Sequence, residues 1–320
     1  MAGSPLASRF AGAPILGGGE SARGEDAPLA SARRLAEALP DLLVEARRVA
    51  ATVAAGWHGR RRAGSGETFW QYRPYAPGEP MQSIDWRRSA RGDDLFVRER
   101  EWEAAHAVEI VLDLSASMDW RSELAPVTKA TRALVLALAL ADLLGRAGER
   151  VGLPGLLPAR ADRRAAERLA EALARADDDP FARPAVPVAP HAEVVVIGDF
   201  LEPPAAVADR LAGFTTQGAR LHALRIVDPG EALPPWTGNV EFRDPETGER
   251  FAGRRAEALR EGWSARWAAH GAELAHLAAR HGWSLLAHST DRPAAEALLA
   301  LHASLGGARH GPRPHAGSRR

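Results

Sequence analysis

An acid and two hydroxyls follow a short apolar run within this 320-residue chain. The run covers residues 108–112, and Asp113, Ser115 and Ser117 come after it at alternate positions. Buried parallel strands are short apolar runs, and ligands of open α/β sheets bind just beyond the carboxyl ends of such strands. A carboxylate with two hydroxyls suits Mg²⁺ or Mn²⁺ better than zinc or copper. The alternative is a serine-rich turn whose hydroxyls only cap the next helix.

The chain from residue 107 onward predicts the sheet that would position this loop. Apolar strand patterns alternate with helical patterns, which is typical of a parallel sheet. We expect strands at 108–112, 150–153, 193–197, 220–227 and 283–287, a hairpin at 240–251, and helices at 126–145, 161–174, 204–212, 256–281 and 293–305. The predicted fold class is therefore α/β, with a Rossmann-like parallel sheet flanked by helices.

Composition divides the rest of the chain. Residues 1–27 are rich in Gly, Ala, Ser and Pro, and we expect them to be disordered, as we do the tail 306–320. Residues 28–106 should form a small N-terminal extension, with a helix that is interrupted near Pro40 and then a β-rich stretch with aromatic residues. Residues 107–305 are assigned to the sheet domain.

Composition and charge also exclude several classes of protein. The chain is 46% hydrophobic and 26% charged with a formal net charge of zero, so charge favours neither nucleic acid nor membrane. It has no cysteine, which excludes disulfides and thiolate zinc sites and fits a cytoplasmic location. The most apolar segment, 133–144, contains Asp142 and is shorter than the roughly twenty residues that span a bilayer. We therefore expect no membrane span.

Several motifs in a fixed order resemble a known bacterial family, the domain of unknown function 58 family. Its signatures R-x-Y-x-P-G-[DE], I-D-W-R-x-S-A-R and V-R-E are similar to residues 73–79, 84–91 and 97–99. The D-x-S-x-S spacing resembles the metal-ion-dependent adhesion site of von Willebrand factor A domains, a domain that this family also carries. The resemblance implies a von Willebrand factor A-like fold for the sheet domain.

The resemblance also implies roles for the loop residues. In adhesion sites both serines bind the metal directly, and the aspartates act largely through water. The resemblance therefore implies that Ser115 and Ser117 would be direct metal ligands and that Asp113 would contact the metal through water. A second apolar run ends at Asp199, and the resemblance assigns this aspartate to complete the site. From the residues alone, the alternative for Asp199 is the more common one, because an acid after a strand is more often a turn or helix-cap residue.

One departure from the adhesion-site pattern concerns a third hydroxyl. Adhesion sites use a threonine from a later loop, but no serine or threonine lies between Arg132 and Phe214. Water could replace that hydroxyl, because Mg²⁺ readily keeps several waters. Alternatively, the site is degenerate and holds no metal.

A second constellation lies in the N-terminal extension, where Asp85, Trp86, Arg87 and Arg91 are close in sequence. Because Trp and Arg dominate binding hot spots, these residues could form a surface that contacts a partner protein. The alternative is an internal brace, with Asp85 bonded to an arginine and Trp86 filling a gap.

These observations favour a non-catalytic protein-interaction module. A bound Mg²⁺ or Mn²⁺ would leave a coordination position for a carboxylate from a partner protein, and the family resemblance implies a MoxR-type AAA+ ATPase as that partner and an adaptor or assembly role. One alternative is a scaffold with a metal-free site. Another is a metal-assisted phosphohydrolase with Asp113 as nucleophile, although Ser115 stands where such enzymes have a second acid.

Overall fold

The computed structural model describes residues 27–58, 69–76, 79–92, 94–100, 106–176, 181, 186, 188–215 and 218–307. The ends that we predict to be disordered lie almost wholly outside these residues. The described residues form two compact units. One combines the chain up to Ala54 with the chain from His106 onward, and the other takes the residues between Ala55 and Ala105.

The first helix, α1 (Ala27–His58), continues through Pro40, so the predicted interruption is wrong. Its core-facing side chains belong to the same hydrophobic core as the sheet of the larger unit; they are Leu42, Ala46, Val49, Ala50 and Val53. This burial offsets the hydrogen bond that a proline cannot donate inside a helix. Most of α1 therefore belongs with the sheet domain, whereas the sequence analysis grouped it with the β-rich stretch.

The smaller unit is built on one antiparallel pair, β1 (Phe69–Pro74) and β2 (Phe96–Arg100), close to where the aromatic patterns predict strands. Between them lie a 3-10 turn and the short helix α2 (Trp86–Ser89). Ile84 and Val97 are buried and pair with each other as an isolated bridge. Among the described residues of this unit, the strand pair, this apolar contact and the hydrogen bond from the backbone N–H of Phe96 to the hydroxyl of Ser89 hold α2 against β2.

The larger unit contains a six-stranded sheet and a separate hairpin. The sheet strands are β3 (Ala107–Leu112), β4 (Arg150–Leu153), β5 (Leu157–Ala161), β6 (Glu193–Gly198), β7 (Arg220–Val227) and β10 (Ser284–Ser289), and the hairpin strands are β8 (Val240–Arg243) and β9 (Arg250–Gly253). The order is β10-β7-β6-β3-β4-β5, and all neighbours are parallel except β4 and β5. The α/β fold class is confirmed.

Helices cover both faces of this sheet. They are α3 (Lys129–Ala147), α4 (Ala165–Ala174), α5 (Pro204–Ala212), α6 (Pro229–Ala232), α7 (Ala256–His281) and α8 (Ala294–Gly307). Side chains of α1, α3, α4 and α8 form one core with one face of the sheet. Side chains of α5 and α7 form a second core with the other face. Because both faces are covered, the central strands β3 and β6 are buried almost throughout, as their apolar runs predict.

The edge strand β5 differs from the prediction, which placed only a helix from residue 161. Its side chains are mostly exposed, so they carry no apolar pattern that would indicate a strand. Gly155, at φ +75°, lies in the turn that lets β5 fold back on β4. None of the described helices is long and apolar enough to cross a membrane. Helix α3 instead buries its alanines and leucines in the core.

Candidate functional site

The D-x-S-x-S loop lies where the strand order of the sheet reverses. Successive strands run outward from β3 in one direction and from β6 in the other, and β3 and β6 are neighbours. The crevice at such a switch point is where open α/β sheets bind ligands. The backbone N–H of Asp113 donates to the carbonyl of Ile197 over 2.9 Å, which holds the end of β3 against the end of β6.

Gly198 allows this close approach. A Cβ atom at that position would lie 2.8 Å from Cβ and 2.9 Å from Oδ2 of Asp113. Any side chain at residue 198 would therefore push Asp113 or the strand end away. No local sequence signal marks this glycine, because its importance depends on a residue 85 positions earlier in the chain.

The structure brings the four predicted site residues together. The backbone N–H of Ser115 donates to Asp113 Oδ1 over 3.0 Å, and the hydroxyls of Ser115 and Ser117 are 3.2 Å apart. The hydroxyl of Ser117 donates to Asp199 Oδ2 over 2.8 Å. Asp113, Ser117 and Asp199 are buried, and Ser115 is half-buried. Side chains from two loops therefore converge, as the sequence predicts.

The backbone after Asp199 is strained. Phe200 has φ +50°, a backbone conformation that bulky residues rarely adopt. The residue is nevertheless held in the core, where it is only 2% exposed. Its carbonyl is 2.7 Å from Nε2 of His270, and Nε of Arg225 donates to the carbonyl of Asp199 over 3.2 Å. The backbone N–H of Leu201 donates to Asp199 Oδ1. These contacts fix the aspartate, and backbone strain of this kind concentrates at functional sites.

A buried lysine contacts the same aspartate. Nζ of Lys129, in the first turn of α3, lies 2.7 Å from Asp199 Oδ2 and 2.5 Å from Glu231 Oε1, and its side chain is 0% exposed. Burial by itself lowers the pKa of Lys129, but the charges of Glu231 and Asp199 outweigh it and hold that pKa above its usual value. Lys129 is therefore a buried cation at neutral pH.

Glu231 is the third member of this buried triad. It lies in α6, whose capping box links its Oε2 to the backbone N–H of Asp228 over 2.9 Å. Burial raises the pKa of Glu231, against the opposing attraction of Lys129. Asp228 also accepts hydrogen bonds from the backbone N–H and the hydroxyl of Ser122, which joins α6 to the loop after the D-x-S-x-S motif.

A further carboxylate comes from the β8–β9 hairpin. The backbone N–H of Ser117 donates to Glu246 Oε1 over 2.9 Å. Lys129, Glu231 and Glu246 were not predicted to have these contacts. The family resemblance gave a signal for two of them: Lys129 fits the family pattern, and the turn sequence from Asp244 to Gly248 resembles a segment of the same family.

The two serine hydroxyls fit a hard cation, while the carboxylates give mixed support. The 3.2 Å between the hydroxyl oxygens of Ser115 and Ser117 is close to the roughly 3 Å between neighbouring oxygens around Mg²⁺. Asp199, however, already contacts the ammonium of Lys129. Within the described residues, no group of three or more His, Cys, Asp or Glu side chains could hold a metal ion. A metal here would depend on Ser115 and Ser117 and on water, since no third hydroxyl comes from the segment between α3 and α5.

The predicted contact residues of the smaller unit are mostly exposed. Trp86 is 57% exposed, and Arg87 and Arg91 are also exposed. Asp85 acts as the N-cap of α2, accepting a hydrogen bond from the backbone N–H of Arg88 over 2.9 Å. The involvement of these residues in partner binding stays a prediction.

The fold and site define an α/β protein whose carboxylates and hydroxyls meet at the switch point of a mostly parallel sheet. The family described as protein of unknown function DUF58 matches residues 71–273, and the chain belongs to this family. Uncharacterized proteins Rv1480 of Mycobacterium tuberculosis and Mb1516 of Mycobacterium bovis are each 27% identical to it in an alignment 278 residues long, and the alignment covers 81% of this chain and 86% of theirs.

Two solved structures from Bacteroides are more distantly similar. An aerotolerance-related membrane protein from Bacteroides fragilis is 18% identical, with a TM-score of 0.36 over 63% of this chain and 100% of that one. The conserved hypothetical protein BatB from Bacteroides thetaiotaomicron is 16% identical, with the same TM-score and coverage. A TM-score of 0.36 is too low to support an inference from either structure.

Proposed function

We propose that this DUF58 protein is a non-catalytic protein-binding module whose docking point is the edge formed by the ends of β3 and β6. The observation that carries the proposal is the convergence of the hydroxyls of Ser115 and Ser117 with the carboxylate of Asp199 at the switch point. Asp113 follows a buried strand, but Ser115 stands where a phosphohydrolase would have its second acid. The arrangement therefore favours binding over catalysis.

Ser115 and Ser117 would hold Mg²⁺ or Mn²⁺ directly, and Asp113 and Asp199 would support it through water, as the resemblance to adhesion sites implies. When bound, the cation would supply an open position for a carboxylate of the partner. The residues of the chain orient the two hydroxyls, because Asp113 fixes the backbone of Ser115 and Asp199 fixes the hydroxyl of Ser117.

Two exposed leucines follow residues of the site's hydrogen-bond network closely in sequence, and a partner protein could contact them. Leu124 and Leu233 are 51% and 74% exposed, and they belong to the two loops that Ser122 and Asp228 tie together. Family resemblance suggests a MoxR-type AAA+ ATPase, with this chain as a cytoplasmic adaptor or assembly factor.

A second candidate is the same module without a metal, and Lys129 favours it. Its ammonium already provides Asp199 Oδ2 with a cation at 2.7 Å. In that case the triad of Lys129, Asp199 and Glu231 would hold the docking edge together, and binding would rest on the exposed residues around it.

Thermal unfolding in the presence of metal distinguishes the two candidates. A ligand that binds only the folded state at a hundred times its Kd stabilises it by about 2.7 kcal/mol, which raises Tm by roughly 5 to 10 °C in a domain of this size. We expect this rise with Mg²⁺ or Mn²⁺ in the wild type and in the control Glu123→Gln, which removes an exposed acid from the same loop. The rise should disappear in Ser117→Ala. No rise in any of the three proteins at millimolar metal would support the metal-free module.

Binding to the purified MoxR-type ATPase of the same organism tests the partner. We expect binding to the wild type and a loss of at least tenfold in affinity for Leu233→Asp, which places a charge on an exposed position without disturbing the core. If the wild type and Leu233→Asp bind the ATPase with equal affinity, the proposal that this edge is the docking point is refuted.

A further inference from the structure

The turn of the β8–β9 hairpin carries a carboxylate to the D-x-S-x-S loop. Glu246 Oε1 accepts a hydrogen bond of 2.9 Å from the backbone N–H of Ser117, although the two residues are 129 positions apart. Ser117 is buried, whereas Glu246 is an exposed residue of the turn. The contact therefore joins a buried residue of the D-x-S-x-S loop to an exposed residue of the hairpin turn.

The turn holds this carboxylate in place. Asp244, which is 6% exposed, accepts hydrogen bonds from the backbone N–H groups of Glu246 and Thr247 over 2.8 and 3.2 Å and from the hydroxyl of Thr247 over 2.7 Å. Gly248 closes the turn at φ +74°, a conformation that glycine adopts without strain. The backbone of Glu246 is thus fixed by its own loop, so contact with Ser117 costs only the rotamer freedom of the Glu246 side chain.

The hairpin is also anchored next to the buried triad. Phe242 of β8 packs edge-on against Trp236, with ring centroids 5.3 Å apart, and Trp236 packs against Trp263 of α7 at 5.9 Å. The indole N–H of Trp263 donates to the carbonyl of Glu231 over 2.6 Å. The aromatic cluster therefore links the hairpin to α6, the helix that carries Glu231 of the buried triad.

We propose that Glu246 is an internal ligand of the site, which occupies from within the chain the position where the carboxylate of a partner docks. This inference rests on the proposed function, because it identifies what the docking position contains before the partner arrives. A tethered carboxylate has an effective concentration of roughly a millimolar or more. A partner must displace Glu246 from the site. Its apparent affinity is therefore its intrinsic affinity multiplied by the fraction of molecules in which Glu246 has left the site.

Two alanine variants of the same turn provide a matched test. Glu246→Ala removes the proposed internal ligand, and Glu249→Ala removes another exposed carboxylate from the same turn. Both variants lose one negative charge, and neither residue is buried. Any difference between the variants therefore reports the position of the carboxylate and not the net charge.

The first measurement is hydrogen exchange of the Ser117 amide in the metal-free proteins, and the second is binding of a probe peptide. For the first, we expect faster exchange in Glu246→Ala than in the wild type or Glu249→Ala. The probe is the peptide acetyl-Gly-Glu-Gly-amide, with its Gln analogue as the control, titrated by NMR in the presence of Mg²⁺. We expect Glu246→Ala to bind the Glu peptide at least tenfold more tightly than the wild type, with Glu249→Ala resembling the wild type.

The outcomes separate this inference from the function on which it rests. If all three proteins bind Mg²⁺ but bind the Glu peptide equally, Glu246 is not an internal ligand, while the proposed docking site stands. Unchanged exchange of the Ser117 amide in Glu246→Ala would overturn the inference in the same way. If no variant binds Mg²⁺ or the peptide, the metal-dependent docking site is refuted and the internal ligand is refuted with it, which leaves the metal-free module.

Discussion

Replacing Lys129 with methionine removes the only lysine of the chain from a fully buried position between two carboxylates. Methionine has a similar length and shape, so the substitution leaves little cavity. What it removes is the ammonium that contacts both carboxylates, so Asp199 and Glu231 keep only the weaker attraction of Arg225 nearby. Loss of one partner from a buried ion pair costs about 3–5 kcal/mol, because the remaining charge is left uncompensated.

A loss of this size would be a large part of the total stability, since domains unfold with about 5–15 kcal/mol. We expect the free energy of unfolding of Lys129→Met, measured by urea denaturation, to fall by about 3–5 kcal/mol. Tm should fall by roughly 6 to 20 °C in a domain of this size. Arg175→Met is the control, because Arg175 and its partner Glu171 are 77% and 53% exposed and their 3.4 Å pair should contribute less than about 1 kcal/mol.

A double variant tests the cause. Glu231→Gln in the Lys129→Met background removes one of the two uncompensated charges, so the double variant should be more stable than Lys129→Met alone. The reasoning is refuted if Lys129→Met costs less than about 1 kcal/mol. It is also refuted if the double variant is no more stable than the single one, because the loss would then come from packing and not from charge.

The remaining predictions concern the strands that carry the site. Gly198→Ala should cost about 1–3 kcal/mol and abolish any metal-induced rise in Tm, because the new Cβ would displace Asp113; Gly262→Ala, with open space around it in α7, should leave both measurements unchanged or improve stability. Burial raises the pKa of Glu109 in β3 to about 7, so its contribution to stability is present below its unfolded pKa and is lost as the pH rises through 7. The free energy of unfolding of the wild type minus that of Glu109→Gln should therefore decrease by roughly 2–3 kcal/mol between pH 5 and pH 8, and a difference independent of pH would contradict the raised pKa.

The sheet and the ends of its central strands were predictable from the sequence because their signals are local. The runs that form β3 and β6 are apolar because both faces of these strands are covered, and each is followed by an acid. The order of acid and hydroxyls after β3 was enough to place Asp113, Ser115 and Ser117 at one edge of the sheet. Asp199 required the family resemblance, since an acid after a strand is more often a turn residue.

The contacts of the site depend on residues far apart in the chain, and only the tertiary structure determined them. Lys129 meets Glu231 across 102 positions and Ser117 meets Glu246 across 129, and no local pattern encodes either pair. The path of α1 through Pro40 was decided in the same way, because burial of its apolar side chains outweighs a local helix-breaking signal. Sequence periodicity indicates which face of a helix or strand is buried. Which side chains contact that face is determined by how the helices and strands pack.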